Sequence, residues 1–251
     1  MKLSTEDTHS LMNILSTCAA VGIDSVIIED GLVRGVNDDK SCAIISDYMV
    51  PGFTQRIGLS RLSSLKSRIE LLSGTAGTVI EANETERDEI NALEIKSGKS
   101  KVQFRCTSTM LIKAPKQIND SAVFSVSVAS SELKMLIDGI RVMGAKRVVL
   151  AIRQNASVHF ELADATNDSF RMEIDAPAEG IDPDMDSMDS VVHYYPAGVF
   201  VSLLKDGARG SGTDGSTAPT ILTVGAVGTI KATLNGHSLT MLPVVNDEGD
   251  D

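Results

Sequence analysis

The sequence predicts an α+β fold made of two copies of one domain, and three observations carry that prediction. Short β-branched alternating segments, punctuated by Gly, Asn and Asp, dominate the 251 residues, as they do in antiparallel sheets. Four segments switch to helical spacing instead. The alternation of strands and helices runs through once in the first half of the chain and again in the second.

The elements follow in order. Ser4-Thr5 before Glu6 and Asp7 is a capping arrangement that opens a helix over 5–20, with Leu11, Ile14, Leu15 and Cys18 on one face. Strand texture returns over 23–36, with Asp30-Gly31 as the hairpin turn, and over 41–48. A second helix is expected over 60–72, its apolar face formed by Leu62, Leu65, Ile69 and Leu72. Strands over 76–82 and 90–106 follow, the latter folded back at Ser97-Gly98-Lys99. Residues 114–122, with Pro115, Asn119, Asp120 and no periodicity, read as a linker between a first domain over 1–113 and a second over 123–251. In the second domain a strand over 123–129 feeds a helix over 130–143, with Ser130 as N-cap, Glu132 in the first turn and Gly144 as the stop. Strands over 146–162 and 169–175 come next, then a fourth helix over 196–206 that starts at Pro196 and stops at Gly207. The segment 221–242, turning at Asn235-Gly236, closes the strand pattern. Residues 176–189 and 207–219 are expected to be surface loops, and 246–251 is an acidic tail.

Composition narrows the function. The balance of 23 Lys and Arg against 34 Asp and Glu gives a net charge of −11, which argues against a uniformly basic nucleic-acid binder unless the charge is segregated. No apolar run approaches the roughly 18 residues of a membrane span, and the opening MKLSTEDTHS has no apolar leader, so an intracellular protein without a membrane partner is expected. The cysteines Cys18, Cys42 and Cys106 have no CxxC spacing and read as small core residues.

Catalytic and metal-binding constellations are missing from the pattern. His9, His159, His193 and His237 stand singly, without HExxH or a cluster. The run Asp182, Asp184, Asp186, Asp189 resembles the start of a calcium loop, yet Ser187 stands where Gly is needed and His193 where Glu is needed. The Gly-rich stretch 207–215 is followed by a strand and has no Lys-Ser/Thr pair, unlike a phosphate loop. We therefore expect no enzyme, no cofactor and no metal.

The cations are the informative residues. Arg61, Lys66 and Arg68 flank the apolar stripe of the second helix, Lys134 and Arg141 lie seven apart on the third, and Lys146 and Arg147 follow it. Lys205 and Arg209 mark the end of the fourth. Acidic residues concentrate in turns and loops such as 81–89 and 179–189. These cations are either the ordinary wet faces of amphipathic helices or a surface that meets a phosphate backbone.

Several segments together resemble the DNA sliding clamps: MKLS before a capped helix, the duplicated pattern, the linker, 31-GLVRGVNDDKSCAII-45, and the ending 236-GHSLTMLPVVNDEGDD-251. The likeness is to clamps of the T-even phage type, and the ending also resembles the proliferating cell nuclear antigen. The resemblance implies a bacteriophage processivity factor in the host cytoplasm. It implies a homotrimeric ring of two-domain chains, with helices around duplex DNA, a DNA polymerase tethered to it and a clamp loader that opens it. The cations named above would then face DNA, whereas the first helix offers Asn13, Ser16 and Thr17 with no Lys or Arg. The resemblance also implies a partner-peptide pocket at Val36, Ala43, Ile118, Leu239, Leu242, Pro243 and Val245. Two readings of other classes stand beside it: a monomeric, β-rich, acidic accessory protein that binds a protein partner, and a metal-dependent hydrolase on the Asp182 to Asp189 loop.

Overall fold

The structure is a computed structural model, and it describes the chain except for residues 1, 30–31, 47–52, 54, 74–77, 85–88, 116–117, 119, 153–157, 167, 175–190, 210–219, 235–236 and 245–251. The turns expected at Asp30-Gly31 and Asn235-Gly236, and the acidic run from Asp182 to Asp189, lie outside the described residues. The chain divides into two compact units, Met1–Ile118 with Asn235–Ser238, and Asn119–Leu234 with Leu239–Asp251.

The first unit opens with α1 (Thr5–Ala20). Ser4 Oγ accepts the backbone N–H of Asp7, and the Asp7 carboxylate accepts the Ser4 N–H, so two otherwise orphaned donors are satisfied at the helix start. Then come β1 (Ser25–Glu29), β2 (Leu32–Val36), β3 (Cys42–Ser46) and β4 (Arg56–Ser60), in the antiparallel order β3-β2-β1-β4. Helix α2 (Leu62–Ser73) follows, and then β5 (Val79–Glu84), β6 (Glu89–Ser97) and β7 (Ser100–Arg105). Strand β6 continues the sheet by running parallel to β4, Ile57 facing Ile90, and pairs with β5 on one side and β7 on the other.

The second unit repeats this plan. Strand β8 (Ala122–Val128) leads into α3 (Ser130–Met143), and β9 (Arg147–Ile152), β10 (Val158–Ala163), β11 (Ser169–Ile174) and β12 (Val191–Pro196) take the antiparallel order β11-β10-β9-β12. After α4 (Ala197–Arg209) come β13 (Thr220–Gly225), β14 (Ile230–Leu234) and β15 (His237–Met241). The duplication reaches the segment before each first helix. Strand β8 pairs with β13, and in the first unit Leu3 N–H bonds Ile80 O of β5 at 2.8 Å, so each leader segment pairs with the first strand after the second helix.

In each unit the two helices pack on each other. Leu11, Ile14 and Leu15 of α1 and Leu65 and Ile69 of α2 are sealed from water, as are Leu133 and Leu136 of α3 and Phe200 of α4. Burying each such side chain stabilises by roughly 1.5–3 kcal/mol, which is why the apolar stripes predicted the helices well. The Phe200 ring meets Phe160 of β10 edge-on with centroids 5.5 Å apart.

The structure corrects the sequence expectation in four places. The N-cap of α3 is Ala129, which has no side-chain acceptor. Ser130 is the first helical residue, and only the Glu132 carboxylate, accepting the Ala129 N–H at 2.7 Å, survives of a capping box. Helix α4 runs through Gly207 to Arg209, so glycine there does not act as the stop. Strands β4 and β12 were absent from the period-2 pattern: β4 is buried over Ile57–Gly58–Leu59 without alternation, and β12 ends in Pro196. On α1, Thr17 is buried and does not belong to the wet face.

Candidate nucleic-acid interface and partner pocket

The cations on α2 fall into two groups. Arg61 precedes the helix with φ of 56°, a left-handed conformation that costs an L residue about 1 kcal/mol and needs outside support. Its guanidinium donates to Arg105 O at 3.1 Å and lies over the Phe104 ring at 5.0 Å, and Arg68 covers the same ring at 5.4 Å. Phe104 itself is buried on β7, so the two arginines form a cationic lid over it. Lys66 points elsewhere and pairs with Glu70 one turn on, at 3.7 Å.

On α3, Lys134 and Arg141 are both exposed on one face. Asp138 stands between them and pairs with Arg141 at 3.0 Å, which leaves Lys134 as the cation of that face with no ion pair among the described residues. Lys146 and Arg147 are exposed at the start of β9, beside the N-terminus of α4, where Ala197 N–H bonds Lys146 O at 3.0 Å. Lys205 is exposed on α4, and Arg209 is its last residue. The structure therefore brings together Arg61 with Arg68, Lys134 with Arg141, and Lys146 with Arg147. Surface pairs such as Lys66–Glu70 and Arg141–Asp138 are worth about 0.3–0.5 kcal/mol each, so a denser field of phosphates can outcompete them.

Of the residues expected to form a pocket, Val36, Ala43 and Ile118 belong to the first unit and Leu239, Leu242 and Pro243 to the second. Val36 of β2 is half-buried and sits directly opposite Ala43 of β3, which is buried. Ile118 is half-buried at the end of the first unit. Leu239 is buried within β15, whereas Leu242 and Pro243 beyond it are half-buried. Val245 lies outside the described residues, but its neighbour Val244 is fixed by an N–H bond to Tyr194 O at 2.7 Å.

Sequence reasoning missed Asp120. It takes hydrogen bonds from Thr229 Oγ1 at 2.6 Å, from Val227 N at 3.1 Å and from Thr229 N at 3.2 Å. Burial pushes its carboxyl up, and these donors together with Ala226 N more than offset that, holding it below the usual carboxylate range. An Asp in a linker-like stretch carries no sequence signal of a partner more than a hundred residues away.

Among the described residues no group of His, Cys, Asp and Glu is placed to hold a metal ion, and no helix is long and apolar enough to cross a membrane. The sequence matches no family model and no curated protein. Solved structures do match in fold. The proliferating cell nuclear antigen of A. fulgidus, solved with the C-terminal region of FEN-1, superposes with a TM-score of 0.61 at 11% identity over 98% of each chain. That of Thermococcus kodakaraensis gives 0.62 at 10% identity, over 97% of this chain and 99% of the other. The H. pylori beta clamp gives 0.65 at 10% identity, and all of this chain spans 64% of that one. The fold of this chain is that of the sliding clamps.

Proposed function

We propose that this chain is a non-catalytic sliding clamp of the T-even phage type, a processivity factor that encircles duplex DNA as a homotrimer and tethers a DNA polymerase. The observation that carries the reading is the whole-chain fold likeness, 98% of this chain on 98% of an archaeal clamp. In this reading residues 1–113 and 123–251 are the clamp domains and 114–122 is the linker. A clamp loader opens the ring, and a phage-encoded chain works in the host cytoplasm.

The edges of the two units support a head-to-tail ring. Among the described residues β7 pairs only with β6, and β11 pairs only with β10, so each unit has a strand edge there for a neighbour to extend. Exposed apolar side chains accompany both: Leu71 on α2, which packs on β7, and Met135 and Val142 on α3, which packs on β11. Joining β7 of one copy to β11 of the next is a heterologous contact, and it closes into a ring when the rotation per subunit divides the circle. Arg61, Lys66, Arg68, Lys134, Arg141, Lys146, Arg147, Lys205 and Arg209 then face the duplex. Their diffuse attraction holds phosphates without reading bases, which sliding requires. The partner pocket takes Val36, Ala43, Ile118, Leu239, Leu242, Pro243 and Val245.

The decisive experiment is mass in solution by light scattering, combined with retention on circular DNA. Three chains of 26.7 kDa give about 80 kDa, and loaded rings should stay on a closed circle and leave once it is cut. A monomer at all concentrations that also never persists on closed circles would refute the reading and leave the acidic accessory protein in its place.

A further inference from the structure

A second charged cluster lies on the first unit's sheet, across β2, β1 and β4. Glu29 at the end of β1 receives two arginines: Arg34 Nη2 from β2 at 2.7 Å on one oxygen, and Arg56 Nε from β4 at 2.9 Å on the other. The three side chains are 29%, 24% and 44% exposed in the order Glu29, Arg34, Arg56. One carboxylate cannot accept the donors of two guanidinium forks. Arg34 Nε is sealed from water and has no acceptor among the described residues. The cluster thus carries one net positive charge in a chain of net charge −11, and Arg56 is its most exposed member.

Its position suggests what it meets. Side chains on a strand alternate faces, so Arg34 and Val36 lie on the same face of β2, about 7 Å apart. Val36 faces Ala43, and Arg34 faces Ile45 and Ile27, so an apolar patch grades into the cationic cluster within one step of the pleat. Leu32 extends the same face and is partly exposed.

We infer that Arg34 and Arg56 form an acid-accepting subsite beside Val36, and that the partner peptide carries an Asp or Glu two residues along from the apolar anchor it seats there. Two guanidinium groups already oriented by Glu29 lose little freedom in taking a second carboxylate, and paired N–H donors match its two oxygens. This rests on the partner-pocket reading proposed above and adds the chemistry of the partner's side chain.

The test uses the full chain and peptides recovered on it from a random peptide display library. Each recovered peptide is resynthesised with its acidic residue and with the matching amide, and both are titrated against wild type and Arg56→Gln. The expected result is a recurrent Asp or Glu at one spacing from the apolar anchor. Its change to the amide should weaken binding about tenfold to wild type and less than twofold to Arg56→Gln, with Arg56→Lys intermediate because it keeps charge but not the fork. An equal penalty against both chains, or peptides without an acid at fixed spacing, overturns the subsite. So does a penalty that appears only after residues 246–251 are removed, since the chain's own acidic tail would then be the occupant. Ile118→Ser and Leu242→Ser test the pocket separately: loss of all peptide binding there with the acid penalty absent in wild type refutes the subsite alone, whereas unchanged binding in both variants refutes the pocket.

Discussion

At the scale of single residues, Asp120 has the clearest consequence. Its carboxylate ties the start of the second unit to the β13–β14 turn, and Gly225 must stay small because a Cβ there would collide with that carboxylate. A carboxyl whose folded pKa is depressed stabilises above its unfolded value near pH 4 and loses that contribution as pH falls through the folded value. Asp120→Asn presents an amide N–H where an acceptor is needed, and we expect a loss of about 1–3 kcal/mol at pH 7 that shrinks below pH 4. Urea unfolding across pH measures it, and a parallel offset at every pH would remove the charge from the explanation. His193 gives an independent readout. Burial holds its imidazole below the ordinary value and the Asp120 carboxylate partly restores it, so Asp120→Asn should lower the His193 pKa further in an NMR titration. The thiols behave more simply: burial pushes Cys18, Cys42 and Cys106 up to about 12, so at pH 8 the native chain should react negligibly with a disulfide reagent and fully once denatured. Rapid labelling of a native cysteine would show that its environment opens.

At the scale of elements, the wet face of α3 is the sharpest test of the proposed lining. Lys134 and Arg141 are exposed and each forms at most a surface pair, so changing both to Ala should alter stability by no more than about 0.5 kcal/mol. Polymerase processivity or clamp loading should nonetheless fall, and parent-like activity would place the lining elsewhere. Arg61 and Arg68 make a poorer test, because they also cover Phe104 and their removal perturbs the fold. The same contrast explains how legible the sequence was. Helix α1 and its cap were readable because Ser4 and Asp7 act on neighbours, and the α2 and α3 stripes because burial repeats every turn. Strand β4 was hidden because it is buried on successive residues and its partner Ile90 on β6 is distant in sequence. Asp120 bonds a turn more than a hundred residues on, the Phe104 lid joins α2 to β7, and the Glu29 cluster joins three strands, and no local pattern encodes such contacts.

At the scale of the whole molecule, the proposed ring stands on two edges that must recognise each other. The exposed apolar residues beside them, Leu71 at 73% and Val142 at 85% exposure, contribute nothing to the core of a single chain. Leu71→Glu or Val142→Glu should therefore leave the melting temperature of the isolated chain nearly unchanged while shifting the mass from about 80 kDa toward 26.7 kDa. An unchanged trimer would mean that the contact uses other edges. DNA binding should divide along the same line. Because the lining is a diffuse set of cations, affinity for short linear duplex should be weak and fall steeply with salt, each neutralised phosphate adding roughly 0.9 to the slope of log K against log salt. Closure adds a topological hold that salt does not weaken while the ring stays shut. Parent rings loaded on a closed circle should survive a salt step that strips linear duplex, and the Val142→Glu chain should be lost from both.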